Sequence, residues 1–232
     1  MNRELLSTID STGYVNLERL TFLVDGVFAI TMTLLVLELR LPESGAVGLK
    51  QSLLAMAPRL YIYFIAFYSI ANHWVVHQRM FRHITSANTT MLWLTILGLL
   101  FITLIPAATA IVGRFPNESL AVACFSANSL LQALSNWFFW RYVTKHQREF
   151  AGNSDPHLLV ITSQVWFIIS IGWLVSIVAG FLNVYAAYAA WIVWPNLVGI
   201  WGSYKRNQLQ VAEGKENSQH VKTKSKKQKV AG

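Results

Sequence analysis

Asp25 is the single charge inside the apolar run Leu20–Leu37, LTFLVDGVFAITMTLLVL. A carboxylate at such depth in hydrocarbon costs at least a few kcal/mol, so it must face protein or water and take a partner. Candidate partners lie on the next apolar segment, where His73 and His77, at i and i+4, share one helix face with Trp74 alongside. Asp25 sits about two turns in from the start of its helix, and a second helix running the other way returns to the same side near His77–Arg79. Three chemistries are open to this set. One is a carboxylate–imidazole contact within a structural polar network. Another is a proton relay through Asp25 and His77. The third is a metal site from Asp25, His73 and His77, for which two histidines on one helix without a second ligand cluster are a weak signal.

At 100° per residue, Leu23, Val27, Ile30, Leu34 and Leu37 fall on one stripe of this first helix, with Gly26 and Thr33 at its edge. Asp25 lies nearly opposite, with Thr21, Phe28 and Met32. The acid's side must therefore pack within the subunit, which frees the stripe for neighbouring subunits or an axis. The stripe reads either as ordinary helix packing or as a hydrophobic constriction that gates by dewetting, with Thr33 adding a hydroxyl one turn from Ile30.

Around these residues the chain of 232 is 54% hydrophobic with nine Trp, and long apolar runs recur throughout, which marks an integral membrane protein. About 20 apolar residues cross the hydrocarbon layer. Segments 20–39, 53–77, 89–111, 119–142, 158–180 and 184–204 meet that length, so the expected fold is all-α, with six transmembrane helices in residues 1–204. Pro58 falls in the first turn of the second segment, where it is harmless; Pro106 and Pro195 lie inside the third and sixth and are expected to kink them. Pro42–Gly45, Gly113–Asn117 and Gly152–Pro156 punctuate the connectors. Residues 1–18 are polar and mixed in charge, and the following apolar stretch is too long for a signal peptide's core, so it reads as a retained span. The lone cysteine, Cys124, cannot form an intrachain disulfide and reads as a small buried apolar residue.

Six spans place both termini on one side. That side carries Arg3, Arg19, Arg79, Arg82, Arg141, Lys145, Arg148 and the eight Lys/Arg from Lys205 onward; the other carries Arg40, Lys50, Arg59 and Arg114. Fifteen against four puts the N- and C-termini in the cytoplasm. The formal charge of +8 is thus a matter of topology. Residues 205–232 are Lys/Gln/Ser-rich and read as a disordered cytoplasmic tail, or as a polybasic segment held at anionic lipid headgroups. No nucleic-acid-reading fold accompanies the charge.

Arg19-Leu20-Thr21-Phe22-Leu23-Val24-Asp25-Gly26-Val27-Phe28-Ala29-Ile30, followed by Thr33–Glu38, closely resembles the first-helix signature of the transmembrane protein 175 family. Trp74-x-x-His77-x-x-x-Phe81 looks like the family's pattern at the end of the second helix, and Asn88 with Pro106 fits the third. The resemblance implies a homotetramer of six-helix subunits, with the first helices around a central pore conducting potassium passively. It implies no cofactor beyond the permeant ion. By position, Ile30 is the constriction, with Leu34 and Leu37 farther out and Thr33 as the hydroxyl layer. Arg19, Asp25, Trp74 and His77 form the network bracing the pore helix. The family lacks a TVGYG-type filter, and none occurs here. One departure is Leu23-Val24 where the family has Phe-Ser, which removes a hydroxyl from that network. The single repeat points to a prokaryotic plasma membrane.

The competing reading is a proton-coupled secondary transporter with Asp25 and His77 as the relay; transporters carry internal repeats, and spans 1–3 and 4–6 show no convincing one. An enzyme needs a nucleophile or metal cluster at one depth, and beyond the His pair the chain offers none.

Overall fold

The computed structural model describes residues 14–39, 48–152 and 154–230. Arg3, Arg40, the Pro42–Gly45 connector and Asn153 lie outside the described residues, as do the side chains from residue 212 onward.

The chain is all-α, apart from one short antiparallel pairing of β1 (Tyr14–Val15) with β2 (Ala87–Asn88), in register Tyr14↔Asn88 and Val15↔Ala87. That pairing fixes where α1 (Leu17–Leu34) begins. Asn16 caps it, its side chain accepting from the Arg19 N–H at 3.1 Å, which satisfies one of the donors a helix start leaves free. The helix tightens into a 3₁₀ turn at Leu35–Glu38.

Leu20, Val24, Phe28, Thr31 and Leu35 are the buried residues of this segment. Their spacing of three and four puts them on one face of the helix, against α2 (Leu49–Phe81), α3 (Thr89–Thr103) and α4 (Ile105–Arg114).

One proline expectation needs correction. Helix α2 begins at Leu49, so Pro58 lies inside it rather than in its first turn. Helix α8 (Val184–Val230) holds Pro195 in its interior, as expected. At Pro106 the third segment does break, into α3 and α4 on either side of Leu104, with the proline in the first turn of α4, where its missing N–H costs nothing.

Helix α5 (Ser119–Lys145) occupies the centre, touching α3, α4, α7 (Pro156–Leu182) and α8; the four-residue α6 (Gln147–Phe150) follows it. Among the described residues, five helical stretches are long and apolar enough to cross a membrane: Leu17–Leu37, Leu49–Phe81, Thr89–Arg114, Pro156–Leu182 and Val184–Leu209. The protein is integral to the membrane. Helix α5 is as long but more polar. On the side that faces other helices it buries Ser126, Gln132 and Ser135 and satisfies them internally. Ser126 and Ser176 share a hydrogen bond of 3.1 Å, and both accept from the indole N–H of Trp191 on α8. The expectation for Cys124 is corrected too: it is exposed on α5.

Helices α7 and α8 approach closely at Gly172, where an added Cβ would collide with the Trp194 indole, itself donating to the Ile168 carbonyl at 3.1 Å. Gly172→Ala is therefore expected to destabilise the protein by about 1–3 kcal/mol through overpacking. Thermal unfolding in detergent reads this, and an unchanged midpoint would show that Trp194 swings aside freely.

Candidate functional site: the first helix and its anchor

Asp25 is half-buried between α1 and α2. Its Oδ1 accepts from the Trp74 indole N–H at 2.9 Å and from the Gln78 side-chain amide. These donors stand at i and i+4 on α2, one above the other, so a single carboxylate oxygen spans one helical turn. Hydrogen bonds to an ionised acceptor are about twice as strong as neutral ones. They are the answer this structure gives to an acid at membrane depth.

Gln78 was not singled out in the sequence. The signal for it was available: it shares a face with Trp74 and is the next polar donor along it.

The histidines point elsewhere. His73 pairs with Gln132 of α5 and lies 3.3 Å from the Asn136 amide, with its ring against Trp166 at 4.8 Å between centroids. His77 stacks on Phe81 at 3.9 Å, and its Nδ1 is buried without a hydrogen-bond partner. Phe28 of α1 lies against both imidazoles. Among the described residues no three His, Cys, Asp or Glu side chains converge as a metal site would require. A cavity of about 30 Å³ is bordered by His73, His77, Gln132 and Asn136, which is room for a water with polar partners.

Arg19 lies exposed in the first turn of α1, about 9 Å along the axis from Asp25 by the helical rise. Position 24, where the resemblance led to the expectation of a lost hydroxyl, is fully buried among apolar side chains. A valine there leaves no polar group to satisfy.

The other face of α1 is left open by the subunit. Ile30 is 60% exposed, Leu34 44% and Leu37 58%, and Thr33 and Gly26 are exposed with them. Val27, on the expected stripe, is instead partly packed into the core, and Ala29 takes its place on the open side. Thr33 donates its hydroxyl hydrogen to the Ile30 carbonyl at 2.7 Å. The oxygen's lone pairs thus remain available on the exposed side, as an acceptor suited to a cation.

A profile described as endosomal/lysosomal potassium channel TMEM175 matches residues 19–106, the stretch that holds Asp25, Trp74 and His77. A protein of Chamaesiphon minutus described as a potassium channel is 31% identical over 150 residues, 62% of this chain and 74% of that one. The chain belongs to the TMEM175 family. A Gallus gallus relative, described as an endosomal/lysosomal proton channel, is 30% identical over 145 residues, 57% of this chain but 29% of its own length. The crystal structure of a lysosomal potassium-selective channel TMEM175 homolog from Chamaesiphon minutus shares the fold, with a TM-score of 0.71 at 24% identity over 80% of this chain and 97% of that one. TMEM175 proteins are ion channels, and this chain is a member of a cation-channel family rather than an enzyme.

Proposed function

We propose that the protein is a potassium-selective leak channel: a homotetramer of six-crossing subunits whose α1 helices surround a central pore. One observation carries the proposal. The acid-bearing side of α1 is tied to α2, while Ile30, Thr33, Leu34 and Leu37 stand exposed on the face that no other helix of the subunit covers. One helix cannot enclose a pore, so copies must meet around an axis.

In this reading Ile30 forms the dewetting ring, with Leu34 and Leu37 farther out. Thr33 supplies a layer of hydroxyl oxygens that replaces part of an ion's hydration. Arg19, Asp25, Trp74 and His77, now joined by Gln78, brace the pore helix from behind. Both termini are cytoplasmic by the distribution of Lys and Arg, and the basic segment 205–232 lies at anionic headgroups. The potassium channel of Chamaesiphon minutus supports the choice of ion.

The proton-channel description of the Gallus gallus relative favours a second reading, in which protons also pass. One preparation tests both. In proteoliposomes, potassium flux is expected without any proton gradient, with a bi-ionic reversal potential set by potassium over sodium. Strict dependence on a proton gradient would favour a coupled carrier using Asp25 and His77, and a reversal potential at zero would remove the selectivity. A pH-sensitive dye in the same vesicles reads proton entry.

A further inference from the structure

A second cleft, of about 520 Å³, opens among α2, α5, α7 and α8, and no α1 residue lines it. Its walls run from Ser69 to Met80 on α2 and from Pro195 to Asn207 on α8. By the helical rise each wall is about 17 Å long, close to half of a hydrocarbon core of roughly 30 Å. The cleft thus has the depth of one leaflet.

Arg79 and Arg206 both line it, and no Asp or Glu does among the described residues. The Arg206 guanidinium reaches Ser203 through Nη2 at 3.3 Å, while its Nη1 is buried with no hydrogen-bond partner. Trp166, lining the cleft from α7, also buries its indole N–H without an acceptor. Deeper polar groups are already paired: Gln132 with His73, and Asn196 with Tyr68 at 2.9 Å and the Ile192 carbonyl at 2.6 Å.

The buried polar atoms left unpaired in the cleft are therefore both donors, beside two cations with no Asp or Glu among the described lining residues. Buried charges and donors call for an acceptor-rich anion. Val165, Ile169 and Trp173 give the same cleft an apolar wall. A phosphate satisfies only the first of these features; a phospholipid satisfies both.

We propose that this cleft binds an anionic phospholipid, its phosphate between Arg79 and Arg206, its ester oxygens as acceptors for the Trp166 indole, and an acyl chain along Val165, Ile169 and Trp173. Basic pockets between membrane helices are suited to such headgroups.

Native mass spectrometry of the full chain tests this with phosphatidylglycerol, phosphatidylcholine of the same acyl chains, and inorganic phosphate. Phosphatidylglycerol is expected to be retained over phosphatidylcholine. The double variant Arg79→Gln/Arg206→Gln is expected to lower its occupancy about tenfold, as the loss of charge-assisted contacts implies. Gly199→Leu keeps both charges and points a side chain into open space in the cleft, since a Cβ there meets nothing within 4 Å. It is expected to expel the lipid too, and it carries the test if the double variant fails to fold. Equal retention of the two lipids, or wild-type occupancy in Gly199→Leu, would overturn the proposal. So would a Lys226→Gln/Lys227→Gln tail variant losing the lipid, which assigns it to the tail. Inorganic phosphate binding with the same arginine dependence and displacing the lipid would make this a free-anion site instead.

Discussion

Ile30→Asn is expected to raise potassium conductance about tenfold, the effect of lowering a permeation barrier by about 1.4 kcal/mol. Ile30 is 60% exposed in the subunit, on the face of α1 opposite the residues that pack into the core. An apolar ring at a narrow point in a pore empties of water, and an ion crossing it sheds hydration with nothing in exchange. An amide in each copy keeps the passage wet and offers oxygen in place of the lost water. Folding should be little affected, because Ile30 has few partners within its own chain. Single-channel recording gives the conductance. An unchanged current would take Ile30 out of the pore and leave that face to lipid or a neighbouring subunit.

The legibility of such a residue in the sequence differs from that of its supports. The helical segments were readable because hydrocarbon demands long apolar runs, and α1 was readable twice over, by its run and by the acid within it. What the apolar count missed lies at its edges. Helix α2 begins at Leu49, ahead of the expected 53, because a helix does not stop where the hydrocarbon does. The 33 residues of α2 span about 50 Å, longer than the hydrophobic core. That extension moved Pro58 into the helix interior. Cys124 was misplaced because a small apolar residue on a membrane helix faces lipid as readily as protein, and composition carries no direction. The open face of α1 was displaced by part of a turn from its expected stripe, trading Val27 for Ala29, because a wheel drawn at a constant angle does not know which neighbours it meets. Asp25 was expected to meet the imidazoles of α2, and its hydrogen bonds go instead to the Trp74 indole and the Gln78 amide of that helix. Gln78 stayed hidden behind the histidines, whose chemistry drew attention while their rings turned toward α5 and Phe81. A carboxylate needs donors, and the indole and amide N–H supply them whatever the protonation of a nearby imidazole.

Removing that carboxylate is expected to be the most damaging single change. Asp25→Ala leaves the half-buried Trp74 indole and Gln78 amide without their acceptor, at a cost of up to about 1–3 kcal/mol each. Together these are a large part of the 5–15 kcal/mol typical of a folded domain. They also act where α1 is held against α2, so the face that the proposed tetramer would share loses its fixed position. The expected result is loss of the tetramer on size-exclusion chromatography, alongside a lower unfolding midpoint. Asp25→Asn keeps one acceptor oxygen but weakens both bonds by removing the charge, and its own amide hydrogens then need acceptors. It should fall between the wild type and alanine. Gln78→Leu deletes one donor and leaves the Trp74 bond, so it should cost least of the three. That ordering distinguishes an anchor from a relay. A relay loses proton movement with Asp25→Asn while the assembly stays intact, whereas an anchor loses the assembly in proportion to the hydrogen bonds removed. A well-folded Asp25→Asn tetramer with altered proton flux would decide for the relay.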